Sequence, residues 1–163
     1  METLQVGMTP LLAVLADNHR KSELLHLLRS WRGELEGVTV LATRDTGNLV
    51  RSRLGLDVAL VEAGSRGGAL QIAALVIEGA VSAVVALHRP SMTPEEDAGT
   101  IALRQVCDIH DVAFASSLAT ADAIVAALVR QNSCRQGLSA LDGFVAAGNA
   151  LMSTSIRSVS REE

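Results

Sequence analysis

Five short apolar runs punctuate the chain up to residue 117: LLAVLA (11–16), VTVLAT (38–43), VALVEA (58–63), SAVVALH (82–88) and VAFASS (112–117). Runs this short and unbroken suit strands buried on both faces, and a helical pattern follows each one. Strands alternating with helices pair in parallel through right-handed crossovers. The expected fold is therefore α/β, a five-stranded, mostly parallel sheet between two layers of helices. Ligands of such sheets gather beyond the carboxyl ends of the strands. The polar clusters of this chain fall there: Asp17–Lys21, Thr43–Gly47, Gly64–Gly68 and Arg89–Asp97.

Asp17 and Asn18 precede HRKSELLHLLRSW, in which Leu24, Leu25, Leu28 and Trp31 share one helical face. Further helices are expected over roughly 95–109 and 119–130. QGLSALDGFVAAGNALMS keeps helical spacing and is rich in alanine, whereas TSIRSVSREE is polar and expected to fray. No repeat or linker marks off a second domain. Residues 1–135 read as the α/β domain, and 136–163 as a C-terminal helix and polar tail of that domain.

Composition narrows the function. Aromatic residues make up only 2% of the chain and the net charge is -4, which speaks against base-stacking platforms and a nucleic-acid footprint. No apolar run reaches the length of a membrane span, and the N-terminus lacks a leader pattern. Cys107 and Cys134 stand apart without CxxC spacing, as reduced thiols of a cytoplasmic protein would. Glu95, Glu96 and Asp97 read as an acidic first helical turn. With Asp17 and Asp45 they have no ligand spacing, so no metal is expected. His88, at the end of the fourth run, reads as a packed, hydrogen-bonded histidine, the alternative being one that points into the pocket.

VEAGSRGGALQIAAL (61–75) runs a strand through a glycine turn into a helix, a geometry that presents free amides to an anion. Taken with TRDTGNLV, GSRGGALQIAALVIEG and ASSLATADAIV, it resembles the methylglyoxal synthase family and the related regulatory domain of carbamoyl phosphate synthetase. The likeness spans about residues 10–130, in order and with nearly constant spacing. It implies a flavodoxin-like three-layer α/β/α fold, commonly a homohexamer. The activity it implies is a lyase that converts dihydroxyacetone phosphate, without a cofactor, to methylglyoxal and phosphate.

Position by position, the resemblance implies a retained anion frame. Lys21 stands where the family has a phosphate-contacting lysine. Thr43 and Thr46 match threonines of its TGTTG segment, with Gly47 closing the turn. Gly64, Gly67 and Gly68 match its SGPxGGD turn. The expected ligand is a small phosphorylated or anionic metabolite.

The acid–base positions do not match. The family's catalytic aspartate after the glycine pair is Ala69 here, the first-loop histidine is Asp17, and its neighbouring acid is Asn18. In the fourth loop, aligned without a gap, the family histidine falls on Glu96 and the second aspartate on Gly99, while a slide of one or two residues offers Asp97 instead. A positioned general base contributes about 10²–10⁴ in rate, and a methyl group cannot replace it. Asp17, Asp45 and Asp97 are the candidate substitute carboxylates. Asp45 also sets a like charge beside a bound phosphate. At about 4 Å each such pair costs roughly 1 kcal/mol in water and ~4 kcal/mol at an effective dielectric of 20. Arg44 would offset it by pairing with Asp45 or by facing the ligand, and Arg66 by the latter route. Whether Arg44, Arg66 or the tail's Arg157 touches a ligand stays open in the sequence. The expected function is a divergent, non-catalytic ligand-binding or regulatory module. The alternatives are a lyase using a substitute carboxylate and an assembly protein.

Overall fold

The computed structural model describes residues 9–89 and 94–159, without the side chains of 94–97, 144 and 148–159. Five strands, β1 (Leu11–Ala16), β2 (Thr39–Thr43), β3 (Val58–Val61), β4 (Ala83–Leu87) and β5 (Ala113–Ala115), form one sheet in the order β3-β2-β1-β4-β5. Every pairing is parallel. The helices are α1 (Lys21–Ser30), α2 (Arg44–Leu54), α3 (Gly68–Ile77), α4 (Pro94–Ile109) and α5 (Leu118–Val159), with a 3-10 turn at Gly64–Arg66.

Alternate residues of the inner strands point to opposite faces, as a pleated strand requires. Leu12 and Val14 join Leu24, Leu28, Val50 and Val125 in a core against α1, α2 and α5. Ala13 and Leu15 join Ile72, Val76, Leu103 and Cys107 in a second core against α3 and α4. Both faces of the sheet are therefore covered, giving the flavodoxin-like α/β arrangement. Burial, followed by the charge of Asp108, pushes the Cys107 thiol up to about 11, so this cysteine packs as an inert apolar group. Leu24, Leu27 and Leu28 are the buried residues of α1, while Leu25 and Trp31 pack at the margin. The Trp31 indole N–H instead donates to Asp122 Oδ1 at 2.8 Å.

Two compact units divide the chain, the first ending at Val129 and the second beginning at Arg130. The first holds the sheet. The second is the helical continuation, on which Leu138, Leu141 and Val145 are exposed. Two expected helical segments are one: α5 runs unbroken through Gly137 and Gly143 to Val159, beyond the point where fraying was expected. Isolated glycines cost a helix about 1 kcal/mol each, which does not terminate it. No helix among the described residues is long and apolar enough to cross a membrane.

Candidate functional site

The strand order reverses between β1 and β4, which are neighbours in the sheet although far apart in sequence. At such a switch point the loops diverge and leave a crevice above the strand ends. Here it is a cleft of about 660 Å³, lined by the loops after β1 to β4 and by α4. Asp17, Lys21, Thr43, Asp45, Thr46, Gly64 and Gly67 all line it.

The loop after β1 is organised by Asp17. Its Oδ1 accepts the backbone N–H groups of His19 (2.9 Å) and Arg20 (3.0 Å), leading the chain into α1. Its Oδ2 accepts the N–H of Arg89 (2.7 Å), tying the β1 exit to the β4 exit. Burial pushes the carboxyl up, but the three backbone N–H donors, with the Arg89 charge, hold it below its ordinary value. Asp17 is thus an ionised structural clamp with its oxygens already engaged. That is a poor setting for a base that must collect a proton. Lys21 opens α1 and donates to Asn18 Oδ1 at 2.7 Å.

The loop after β2 presents two hydroxyls from below. Thr43 and Thr46 are buried, and Thr43 Oγ1 lies 3.2 Å from Thr46 Oγ1. Asp45, between them, is exposed. Arg44 does not pair with Asp45: it reaches Glu62 Oε1 at 2.9 Å and does not line the cleft. The register explains why. Thr43 pairs with Val61 across β2 and β3, so the next residues, Arg44 and Glu62, emerge side by side. Arg66 approaches the same carboxylate at 3.8 Å.

The glycines divide by role. Gly67 has a φ of 87°, a left-handed conformation that ends the 3-10 turn and starts α3. Gly68 and Gly47 do not line the cleft. A Cβ at Gly68 would run into the Glu62 carbonyl oxygen, and one at Gly47 into the Leu60 side chain. These two glycines bring α3 and α2 close to the sheet. Their place in the frame is packing.

Residues outside the expected anion frame complete the lining. His88, Thr100, Ser65, Leu15 and Leu70 line the cleft. His88 Nε2 is 3.4 Å from Thr100 Oγ1, while its Nδ1 is buried without a hydrogen-bond partner among the described residues. His88 follows Leu87, which pairs with Ala16, so it emerges beside Asp17. That register selects the pocket-facing alternative for His88. Asp97 lies in the first turn of α4, and its side chain and that of Arg157 fall outside the described set. Among the described residues no cluster of His, Cys, Asp and Glu has a metal-binding arrangement.

Ala69 and Gly99 both line the cleft from opposite helices, α3 and α4. A Cβ at Gly99 would stand only 3.3 Å from the Ala69 methyl. At this junction the wall offers a methyl and a hydrogen, neither able to carry a proton.

No protein-family model matches the chain. It is 39% identical over 128 residues to methylglyoxal synthase of Cupriavidus taiwanensis, covering 78% of this chain and 96% of that protein. With methylglyoxal synthase of Ralstonia nicotianae it shares 37% identity over 118 residues, covering 72% and 87%. The crystal structure of methylglyoxal synthase from Elizabethkingia anophelis NUHP1 superposes with a TM-score of 0.66 at 27% identity, over 71% of this chain and 76% of that one.

Proposed function

The chain belongs to the methylglyoxal synthase family, and from that membership we propose that it keeps a phosphate-binding cleft while lacking the family's proton chemistry. It is a non-catalytic ligand-binding or regulatory module. One observation carries the reading. The cleft that gathers Lys21, Thr43 and Thr46 is walled by Ala69 and Gly99, where the resemblance places the family's two aspartates. The ammonium, the two hydroxyls and the backbone amides of the turn at Gly64–Gly67 suit a phosphate, since none needs a bulky side chain between itself and the anion. Enediolate formation would require a base at the reacting carbon. Asp17 is held as a clamp by three amides. The alternative, a lyase with a substitute base, rests on Asp45 and His88 among the described residues.

Thermal unfolding with inorganic phosphate, sugar phosphates and nucleotides tests the binding claim. A ligand at 100 times its Kd stabilises by about 2.7 kcal/mol, roughly 5–10 °C for a chain of this size. At 10 mM at least one phosphate compound is expected to raise the midpoint on this scale, and Lys21→Ala to abolish most of the rise. Flat midpoints across the whole set would remove the binding function.

A further inference from the structure

The charges around the cleft do not match a simple phosphate monoester. Four arginines lie next to its lining residues, and each is already set against a carboxylate. Arg20 meets Glu23 at 2.6 Å, Arg44 meets Glu62 at 2.9 Å, Arg66 approaches Glu62 at 3.8 Å, and Arg89 approaches Asp17 at 3.7 Å. None of the four lines the cleft. Lys21 remains, and its ammonium is bonded to the neutral side chain of Asn18. Residues 90–97 contain no lysine or arginine, so that segment brings no further cation.

On the negative side, Asp17 is ionised and clamped, its charge shared by three amides. Asp45 is different. It lines the cleft, it is exposed, and among the described residues no hydrogen bond or ion pair engages it. Its place in the first turn of α2 agrees with the helix dipole, yet the same amides are those a phosphate would use. A phosphate monoester carries nearly two negative charges at neutral pH. Among the described residues one ammonium would face that charge while an unpaired carboxylate stands on the same wall. Such a pocket holds a plain phosphate only weakly, and a ligand that brings a positive group to Asp45 gains over it.

Resting on the phosphate-binding reading, we infer that Asp45 receives a cationic amine of the ligand, so that the cleft selects a phosphorylated amine over a neutral-bodied phosphate ester. The phosphate takes Lys21 and the threonine hydroxyls, and the ammonium takes Asp45. The apolar stretch of wall made by Leu15, Ala69 and Leu70 faces the carbon link between the two. Asp45 is thereby the residue that sets ligand charge.

Titration calorimetry of the full chain with O-phosphoethanolamine, ethyl phosphate and inorganic phosphate tests this. The first two share a phosphate and a two-carbon body and differ by the ammonium. The wild-type protein is expected to bind phosphoethanolamine about tenfold or more tighter than ethyl phosphate. Asp45→Asn should erase or invert that ratio by weakening the first and strengthening the second, while Asp45→Glu keeps it. Unchanged unfolding midpoints of the ligand-free variants establish that the effect is local. Equal affinities in the wild type, or a ratio that survives Asp45→Asn, would overturn the role of Asp45 and leave phosphate binding intact. Failure of all three compounds to bind would overturn both.

Discussion

Alanine at Gly68 is expected to destabilise the fold by about 3 kcal/mol, the upper range for overpacking a site that cannot yield. The added Cβ meets the carbonyl oxygen of Glu62, with the carbonyl carbon and Thr43 Cγ2 each 3.0 Å away. A flexible side chain would swing aside, but a backbone carbonyl at the end of β3 cannot. α3 would have to retreat from the sheet, carrying the amides of its first turn with it. Two neighbours serve as controls. Gly67→Ala meets nothing within 4 Å but must hold a φ of 87°, at a cost of about 1–2 kcal/mol. Gly64→Ala meets nothing and has no such angle, so it should change stability by no more than about 0.5 kcal/mol. Urea unfolding of the three variants gives the order directly. Equal effects, or Gly64→Ala as the worst, would show that the turn is not packed as described.

Replacing Asp17 by alanine should cost about 2–4 kcal/mol, the sum of the lost turn hydrogen bonds from His19 and Arg20 ahead of α1 and a lost charge-assisted bond to Arg89, moderated by water reaching the loop. The pH dependence identifies the cause. A carboxyl whose folded pKa is depressed stabilises the protein above its unfolded value, near 4, and loses that contribution as pH falls through the folded value. The difference between wild type and Asp17→Ala should therefore be full at pH 7 and shrink below about pH 4. Asp17→Asn, which keeps one acceptor oxygen and no charge, should fall between the two and show a flattened acid limb. A gap between wild type and the alanine variant that stays constant down to pH 2 would mean that the carboxylate is not the clamp.

The sheet was legible because burial on both faces leaves its mark in composition: Leu12, Val14, Val84 and Val85 stand in unbroken apolar runs that no surface strand would tolerate. Strand ends were less legible. The third run extends to residue 63, but β3 stops at Val61, where Glu62 turns to meet Arg44 and Arg66. The fifth extends to residue 117, but β5 stops at Ala115, because Ser117 Oγ accepts the N–H of Thr120 (3.3 Å) in the first turn of α5. In both places a polar contact with the next element ends the strand, and such contacts leave no periodic trace.

The site was legible in its parts. The loops carrying Lys21, Thr43, Asp45 and Gly67 do converge, as polar clusters after parallel strands should. What chain order could not supply was lateral register. Arg44 beside Glu62 and His88 beside Asp17 are neighbours across strands, separated in sequence by 18 and 71 residues. The engagement of Asp17 with the Arg89 amide is likewise invisible without the β1–β4 pairing. It turns a candidate base into a structural clamp.

Whether a cleft walled by Ala69 and Gly99 can still take a proton from a triose separates a ligand-binding module from a lyase. Phosphorus NMR of dihydroxyacetone phosphate with stoichiometric purified protein measures this most directly, since orthophosphate resolves from the ester. Orthophosphate should accumulate no faster than in buffer alone. Its rapid growth, matched mole for mole by methylglyoxal, would show that the cleft is catalytic.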